Sequence, residues 1–249
     1  SGHISDSLED QAKELNEIAK VGADAVIMLT NRLAKEEESD EIWLSNLKEL
    51  LKELPEDLPL GFYECPYPYK RVMTPELLKW GAQTGRFYFT KDTSCDMENI
   101  KGKLEAIKGS KLKLFNANTS TLLDSLREGA GGFSGVMANF HPELYGWLCK
   151  NFQKQPEKAQ RLQDILGVFS VMESRVYPVK AGIMADFLTM ASFIERQVYP
   201  INAKYYQRKI GNFRTIVSRT KDPALLNDTC VSEVEQFIRM TEYMKGILL

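Results

Sequence analysis

The sequence predicts an α/β protein built as a (β/α)8 barrel with a C-terminal helical extension, and three observations carry that prediction. Short apolar runs alternate with helix-periodic segments, and the runs begin near 24, 59, 86, 111 and 132, at intervals of 35, 27, 25 and 21 residues. Each interval is the size of one strand, loop, helix and loop, and such a train implies parallel strands covered by helices. Polar residues gather where those strands end, at Thr30-Asn31, Tyr63-Glu64, Lys91-Asp92-Thr93, Asn116, Asn118 and Asn139, which suits the C-terminal rim of a barrel. An open doubly wound sheet that binds a dinucleotide would show G-x-G-x-x-G between its first strand and helix. The glycine cluster GAGG at 129–132 precedes a strand instead and reads as an αβ turn.

Each element has a local reason. Leu8, Ala12, Leu15, Ile18 and Ala19 recur at helical spacing between Asp6 and Lys20, with Asp6 and Glu9 as a capping pair and Gly22 as the stop. DAVIML follows, too short for a helix and apolar enough for a buried strand. The acidic run KEEESDE at 35–41 is a solvated lead into a helix over 42–51. LGFYEC at 60–65 is strand-like, and TPELLKWGAQ supplies Thr74 as N-cap and Pro75 as first helical residue. RFYFTK at 86–91, a helix near 97–107, KLKLFN at 111–116, a helix near 119–127, GFSGVMAN at 132–139 and a helix from Pro142 complete the alternation. Trp43, Trp80 and Trp147 fall on apolar helix faces and are expected in the core. From about Glu157 helices follow one another without strands, punctuated by Pro178, Pro200 and Pro223. The expected division is therefore a barrel portion over 1–155 and a helical region over 156–249 that packs on it and aids oligomerisation.

Composition narrows the partners. The chain has 249 residues, 43% hydrophobic and 27% charged, and 32 Lys and Arg against 34 Asp and Glu give a formal charge of -2. That balance offers no electrostatic reason to bind nucleic acid or an anionic membrane, and no apolar run approaches the roughly 20 residues that span a bilayer. A small ligand or another protein is the expected partner. No secretory leader is visible, and the four cysteines lie far apart, so reduced thiols in a cytoplasmic protein are expected. His3 and His141 are the only histidines, and neither has ligand spacing with Cys, Asp or Glu; no metal and no cofactor are expected.

The residue that stands out is Lys91, delivered by the aromatic run Phe87, Tyr88 and Phe89 into a cluster of small polar residues. At the C-terminal end of a barrel strand its ammonium would be desolvated, which disfavours the charged form. A neutral amine attacks ketones, and the iminium that results is an electron sink for the neighbouring carbon. Tyr63, ending the preceding strand, is placed to shuttle a proton, and Thr93 and Ser94 could supply hydrogen bonds. Spacing alone leaves the alternative of a surface ion-pair lysine open.

FYFTKDTSCD resembles the Schiff-base segment of the dihydrodipicolinate synthase and N-acetylneuraminate lyase family of class I aldolases. PLGFYECP is similar to that family's preceding strand, and GADAVIML, LFNANTSTLLDSLREGAGGFSGVMANFHPELY and YPVKAGIM are similar to its fourth strand, its seventh and eighth strands and its C-terminal helices, in order. The resemblance implies Lys91 as Schiff-base lysine, Tyr63 as proton shuttle, and a homo-oligomer, dimer or tetramer. It also implies that Ser134, Gly135 and Asn139 face substrate in the last strand, where barrel packing is the competing reading; Asn116 and Asn118 either line the rim or cap the next helix.

There are departures. The similarity begins at the family's third strand, near His3-Ile4, so two βα units, about 60 residues of a typical barrel, are expected to be absent here, along with the hydroxyl motif that binds the pyruvate carboxylate. Six units cannot close an eight-stranded barrel, so the alternative to that absence is an opening filled in some other way. The loop TNRLAKEEES carries none of the family's tyrosines, and Pro68 stands where the synthases hold a second carboxylate with arginine. Lys70 or Arg71 either substitutes for it or belongs to a solvated loop. Glu64, where the family favours asparagine, is either an added acid/base in contact with substrate or a buried, hydrogen-bonded carboxylate. The resemblance thus implies a lyase or aldolase acting on pyruvate or a related 2-oxo acid. A 2-keto-3-deoxy sugar acid dehydratase and a non-catalytic metabolite binder are the alternatives.

Overall fold

The computed structural model describes residues 3–139, 141–174, 209 and 228–248. Contacts group the chain into two compact units, Ser1–Ser134 and Gly135–Leu249, each described here by itself. The expected segments YPVKAGIM and KAGIMADFLTMASFIER, the helix near 204–218 apart from Lys209, and the three punctuating prolines lie outside the described residues.

The first unit runs α1 (Leu8–Lys20), β1 (Val26–Leu29), α2 (Asp40–Lys52), β2 (Leu60–Tyr63), α3 (Pro75–Gln83), β3 (Phe87–Asp92), α4 (Met97–Ala106), β4 (Lys113–Asn116), α5 (Leu122–Arg127) and β5 (Gly132–Phe133). All neighbouring strands pair in parallel, in the order β1-β2-β3-β4-β5. Strict sequential order with a helix in every crossover is the arrangement of a barrel wall. Thr74 caps α3, its side chain accepting the Leu77 N–H, with Pro75 in the first turn. At α1 the expected Asp6–Glu9 cap is corrected: Ser7 is the N-cap, accepting the Asp10 N–H, because its shorter hydroxyl sits one residue nearer the first free amide. The strand expected over 132–139 stops at Phe133, and a short 3-10 turn takes Val136–Asn139. No strand forms at His3-Ile4. Instead the buried His3 ring accepts the Leu29 N–H of β1 through Nε2 at 2.5 Å, and its Nδ1 meets Gln11 Oε1 at 3.1 Å.

The two faces of the sheet differ. On the helix side Val26, Met28, Leu60, Phe62, Phe87, Thr90 and Leu114 are all buried, packed beneath Trp43, Leu47, Leu77, Leu78 and Ile100. Phe62 stacks on Phe87 with ring centroids 4.1 Å apart. A Cβ at Gly81 of α3 would stand 2.9 Å from the Phe62 ring, so only glycine lets this helix approach the sheet so closely. Of the expected core tryptophans Trp43 is fully buried, whereas Trp80 and Trp147 are half-buried, each with a lysine ammonium over its ring. On the other side Ile27, Tyr63, Phe89, Lys91, Phe115 and Phe133 are only half-buried.

In the second unit α6 (Pro142–Asn151), α7 (Pro156–Ser174) and α8 (Asp228–Leu248) bury Leu144, Leu148, Leu162, Leu166 and Val234. His141 Nδ1 lies 3.1 Å from Thr241 Oγ1 in that core, and Lys245 of α8 pairs with Glu143 of α6. Helix α6, expected within the barrel portion, groups with this unit. Among the described residues no helix is long and apolar enough to cross a membrane.

Candidate functional site

A β-bulge decides which residues share a face. Leu60 pairs with Phe87 but Gly61 with Phe89, so Tyr88 is an extra residue on β3, 41% exposed. The bulge puts Phe87 on the helix side and Phe89 on the opposite side, where Phe89 stacks on Phe115 at 4.8 Å. Gly61 makes room for this: a Cβ there would meet Ile27 Cδ1 at 2.6 Å and the Phe89 carbonyl oxygen at 2.9 Å. Beyond the bulge the register is regular, Phe62 opposite Thr90 and Tyr63 opposite Lys91. Because strand residues alternate faces, Lys91 and Tyr63 emerge side by side on the half-buried face, at the C-terminal ends of adjacent strands.

Lys91 Nζ stands over the Tyr63 ring, 4.4 Å from its centroid. Among the described residues Lys91 Nζ makes no hydrogen bond and no ion pair. Burial draws its ammonium below the ordinary lysine range, with the Cys65 thiol acting the other way. The phenol ring face favours the cation, but a ring quadrupole offsets little of the hydration that burial removes. An amine so placed has a larger neutral, nucleophilic fraction than a surface lysine.

The residues next in sequence point the other way, into the helix layer. Glu64 and Asp92 are both fully buried, and Lys103 of α4, 1% exposed, reaches between them. Its Nζ donates to Glu64 Oε1 at 2.5 Å and to Asp92 Oδ2 at 2.6 Å. Glu64 also accepts the N–H groups of Met73 at 2.9 Å and Thr93 at 2.7 Å. Burial pushes the Glu64 carboxyl above the ordinary glutamate range, opposed by the Lys103 ammonium and reinforced by the Asp92 charge. Asp92 Oδ1 accepts from both the backbone N–H and the hydroxyl of Ser94, at 3.0 and 2.7 Å.

The remaining expected site residues are placed as follows. Glu64 is the buried, hydrogen-bonded carboxylate of the two readings, turned away from the face that carries Lys91. Thr93 donates its hydroxyl to the Glu64 carbonyl oxygen at 2.8 Å. Asn116 is fully buried, its amide donating to Thr121 Oγ1 and Ser125 Oγ and its Oδ1 accepting the Asn118 N–H. Ser134, half-buried, continues the β4–β5 ladder through its N–H to the Asn116 carbonyl oxygen at 2.8 Å. Gly135 opens the second unit. Arg71 is committed to the loop after β1, donating to the Lys35 and Glu38 carbonyl oxygens and pairing with Asp40 at 2.8 Å. Lys70 is exposed. Asn31, buried, donates to the carbonyl oxygens of Cys65, Tyr67 and Tyr69, which fixes the ECPYPYKR loop. Sequence reasoning missed Lys103; its signal was a lysine between Ile100 and Ile107 on an otherwise apolar stripe. Among the described residues no group of three His, Cys, Asp or Glu could hold a metal ion.

With this geometry in hand, comparison with known proteins is decisive at the level of family. The model of the dihydrodipicolinate synthetase family matches residues 4–220. The chain belongs to the dihydrodipicolinate synthetase family. A dihydrodipicolinate synthase from Thermotoga maritima superposes with a TM-score of 0.70 at 17% identity, covering 95% of this chain and 72% of that one. A prophage protein of the dihydrodipicolinic acid synthase family from E. coli K12, solved in complex with pyruvate, gives 0.68 at 15% identity over the same shares. In sequence, the 4-hydroxy-tetrahydrodipicolinate synthase of Staphylococcus epidermidis is 21% identical over 160 residues, 64% of this chain and 53% of that protein; the chain spans about half the length of this curated relative. The family is one of pyruvate-dependent class I aldolases, and its barrel fold is the fold of this chain.

Proposed function

We propose that this chain carries the chemistry of a Schiff-base-forming lyase or aldolase acting on pyruvate or a related 2-oxo acid, with Lys91 as nucleophile and Tyr63 as proton shuttle. The observation that supports the reading most is the pairing of a desolvated amine, free of any ion pair among the described residues, with a phenol ring 4.4 Å away at matched strand positions. In the reaction, the lone pair of Lys91 Nζ forms a bond to the keto carbon. The carbonyl oxygen takes up protons and leaves as water. The iminium then acidifies the adjacent carbon, whose proton is lost to give an enamine, or allows a bond one carbon further out to break. Every step moves a proton over a short distance, which is the task of a phenol held against the amine. Thr93, Ser134 and Gly135 are the further candidates for contact with the 2-oxo acid. The relatives solved with pyruvate, the E. coli protein and an Acinetobacter baumannii dihydrodipicolinate synthase, support the choice of keto acid.

Arg71 bears on the second substrate. Its guanidinium is spent on the loop after β1, so it is not free to hold a second carboxylate, and a leaving group or electrophile without one suits this rim. A homo-oligomer, dimer or tetramer, belongs to the same reading, and light scattering on a sizing column tests it; a monomer at micromolar concentration would overturn it. For the chemistry, the protein is incubated with pyruvate and borohydride, digested and examined by mass spectrometry. A reduced adduct on the peptide that contains Lys91, lost in Lys91→Ala, is the expected result. No trapping with any of several 2-oxo acids favours a metabolite-binding protein, and full trapping in Lys91→Ala means another lysine reacts.

A further inference from the structure

Lys103 takes no part in the reaction as written, yet it is a fully buried ammonium that bridges two fully buried carboxylates. As a stabilising device this is a poor choice, because desolvating three charges costs about as much as their attraction returns, and an apolar residue of similar size would do as well. Its place in the fold suggests a different use. Glu64 directly follows Tyr63 and Asp92 directly follows Lys91, on neighbouring strands. The last backbone hydrogen bond between those strands, from Glu64 N–H to the Lys91 carbonyl oxygen, is long at 3.3 Å. Past that point the strand ends are held by side chains: Lys103 to both carboxylates, and the Thr93 N–H and hydroxyl to Glu64.

We propose that Lys103 is a positioning residue for the reaction at Lys91: from α4 it ties the residue after Lys91 to the residue after Tyr63, and so holds amine and phenol in register. This rests on the reading of Lys91 and Tyr63 given above. The lock acts from behind the sheet. Alternation carries each carboxylate to the helix side only if its neighbour faces the other way, so a slip or rotation of either strand end would break a contact to Lys103 before it could separate Tyr63 from Lys91. Lys103 touches no substrate and supplies no proton; its loss should leave pyruvate binding intact and slow the steps that need the phenol.

The test uses exchange of the pyruvate methyl protons with deuterium oxide, followed by proton NMR on the full chain, since exchange proceeds through the enamine and needs no second substrate. Lys103→Met keeps the shape and removes the charge. The expected result is a limiting exchange rate at least about tenfold lower, an unchanged half-saturating pyruvate concentration, and recovery to within about threefold in Lys103→Arg, whose guanidinium can bridge both carboxylates. If Lys103→Met does not fold, Asp92→Asn, which loosens one arm of the tie and leaves Lys103 paired with Glu64, is measured in its place with the same expected fall. A folded variant that exchanges at the wild-type limiting rate, or that raises the half-saturating concentration alone, overturns the proposal. A wild-type protein that neither traps nor exchanges pyruvate refutes the reaction itself, so the two failures are distinguishable.

Discussion

His3 makes the stability of this protein depend on pH in a direction that can be worked out in advance. The ring is fully buried. Nε2 accepts the Leu29 N–H, so the proton of the neutral ring sits on Nδ1 and is donated to Gln11 Oε1; Gln11 in turn donates its amide to the Arg32 carbonyl oxygen at 2.8 Å. Protonating Nε2 would set two N–H groups against each other in a dry site. Burial accordingly lowers the His3 pKa from 6.5 to about 4, against the Gln11 hydrogen bond and the Glu14 charge. Between those values the unfolded chain holds a proton that the folded chain does not, so stability falls as pH falls. The contribution is complete above 6.5 and lost by about 4, and at about 1.36 kcal/mol per pH unit it amounts to about 3 kcal/mol. Two measurements check this. NMR titration of the ring carbons should show one of the two histidines with its midpoint near 4. Urea unfolding from about pH 7.5 down to about pH 4.5 should show the wild type losing about 2.5 kcal/mol more than His3→Gln, which cannot titrate; other titrating groups cancel in the difference. Parallel pH profiles for the two proteins, or a His3 midpoint near 6.5, would refute the reasoning.

Three further outcomes follow from the geometry. Tyr63→Phe keeps the ring over Lys91 and removes the hydroxyl, so pyruvate proton exchange should slow by about 10²-fold or more; an unchanged rate removes Tyr63 from the mechanism. The rate of borohydride-trapped adduct formation should rise with pH as Lys91 loses its proton and level off below the ordinary lysine value of 10.5, because burial favours the neutral amine; a midpoint at that value in stopped-time trapping would show a solvated ammonium. Cys95 holds a φ of +60° on the loop that leads from Lys91 into α4. Cys95→Gly should therefore raise the urea midpoint, by an amount equivalent to about 1 kcal/mol, and an unchanged or lower midpoint contradicts strain at that residue.

How much of this was legible in the sequence depends on how local the cause is. The strands at 26–29, 60–63, 87–92 and 113–116 and their covering helices were readable because each is an apolar run with its own flanking signals, such as Thr74-Pro75 before α3. The short β5 was over-read: SGVMAN is apolar enough for a strand, but after Phe133 the backbone turns into a 3-10 segment. The bulge at Tyr88 had no signal at all. It is set by what stands across the sheet, namely the space that Gly61 leaves for Phe89 and the stacking of Phe62 on Phe87, and none of that is visible along one strand. Lys103 was illegible for a related reason. Its partners lie 11 and 39 residues away in sequence, and helical periodicity alone assigns any lysine to water.

The bulge also explains why an aromatic run should precede the lysine. In a regular strand Phe87, Phe89 and Lys91 would share one face and Tyr88 and Thr90 the other. Phe87 would then crowd the half-buried side and leave Phe62 without its stacking partner. The extra residue lets Phe87 serve the helix layer while Phe89 and Lys91 keep the phase of Tyr63. According to its direction, a one-residue slip would put Lys91 in the place of Asp92, inside the carboxylate cluster around Lys103, or Asp92 in the place of Lys91, beside the phenol. The same alternation that buries Asp92 and Glu64 thus leaves Lys91 without a counter-ion. An amine stays basic when a carboxylate stands beside it and loses basicity when water is removed and nothing replaces it. The sheet moves Lys91 toward the second condition by placing Asp92 of β3 and Glu64, the residue after β2, on the far side of the strands from the lysine.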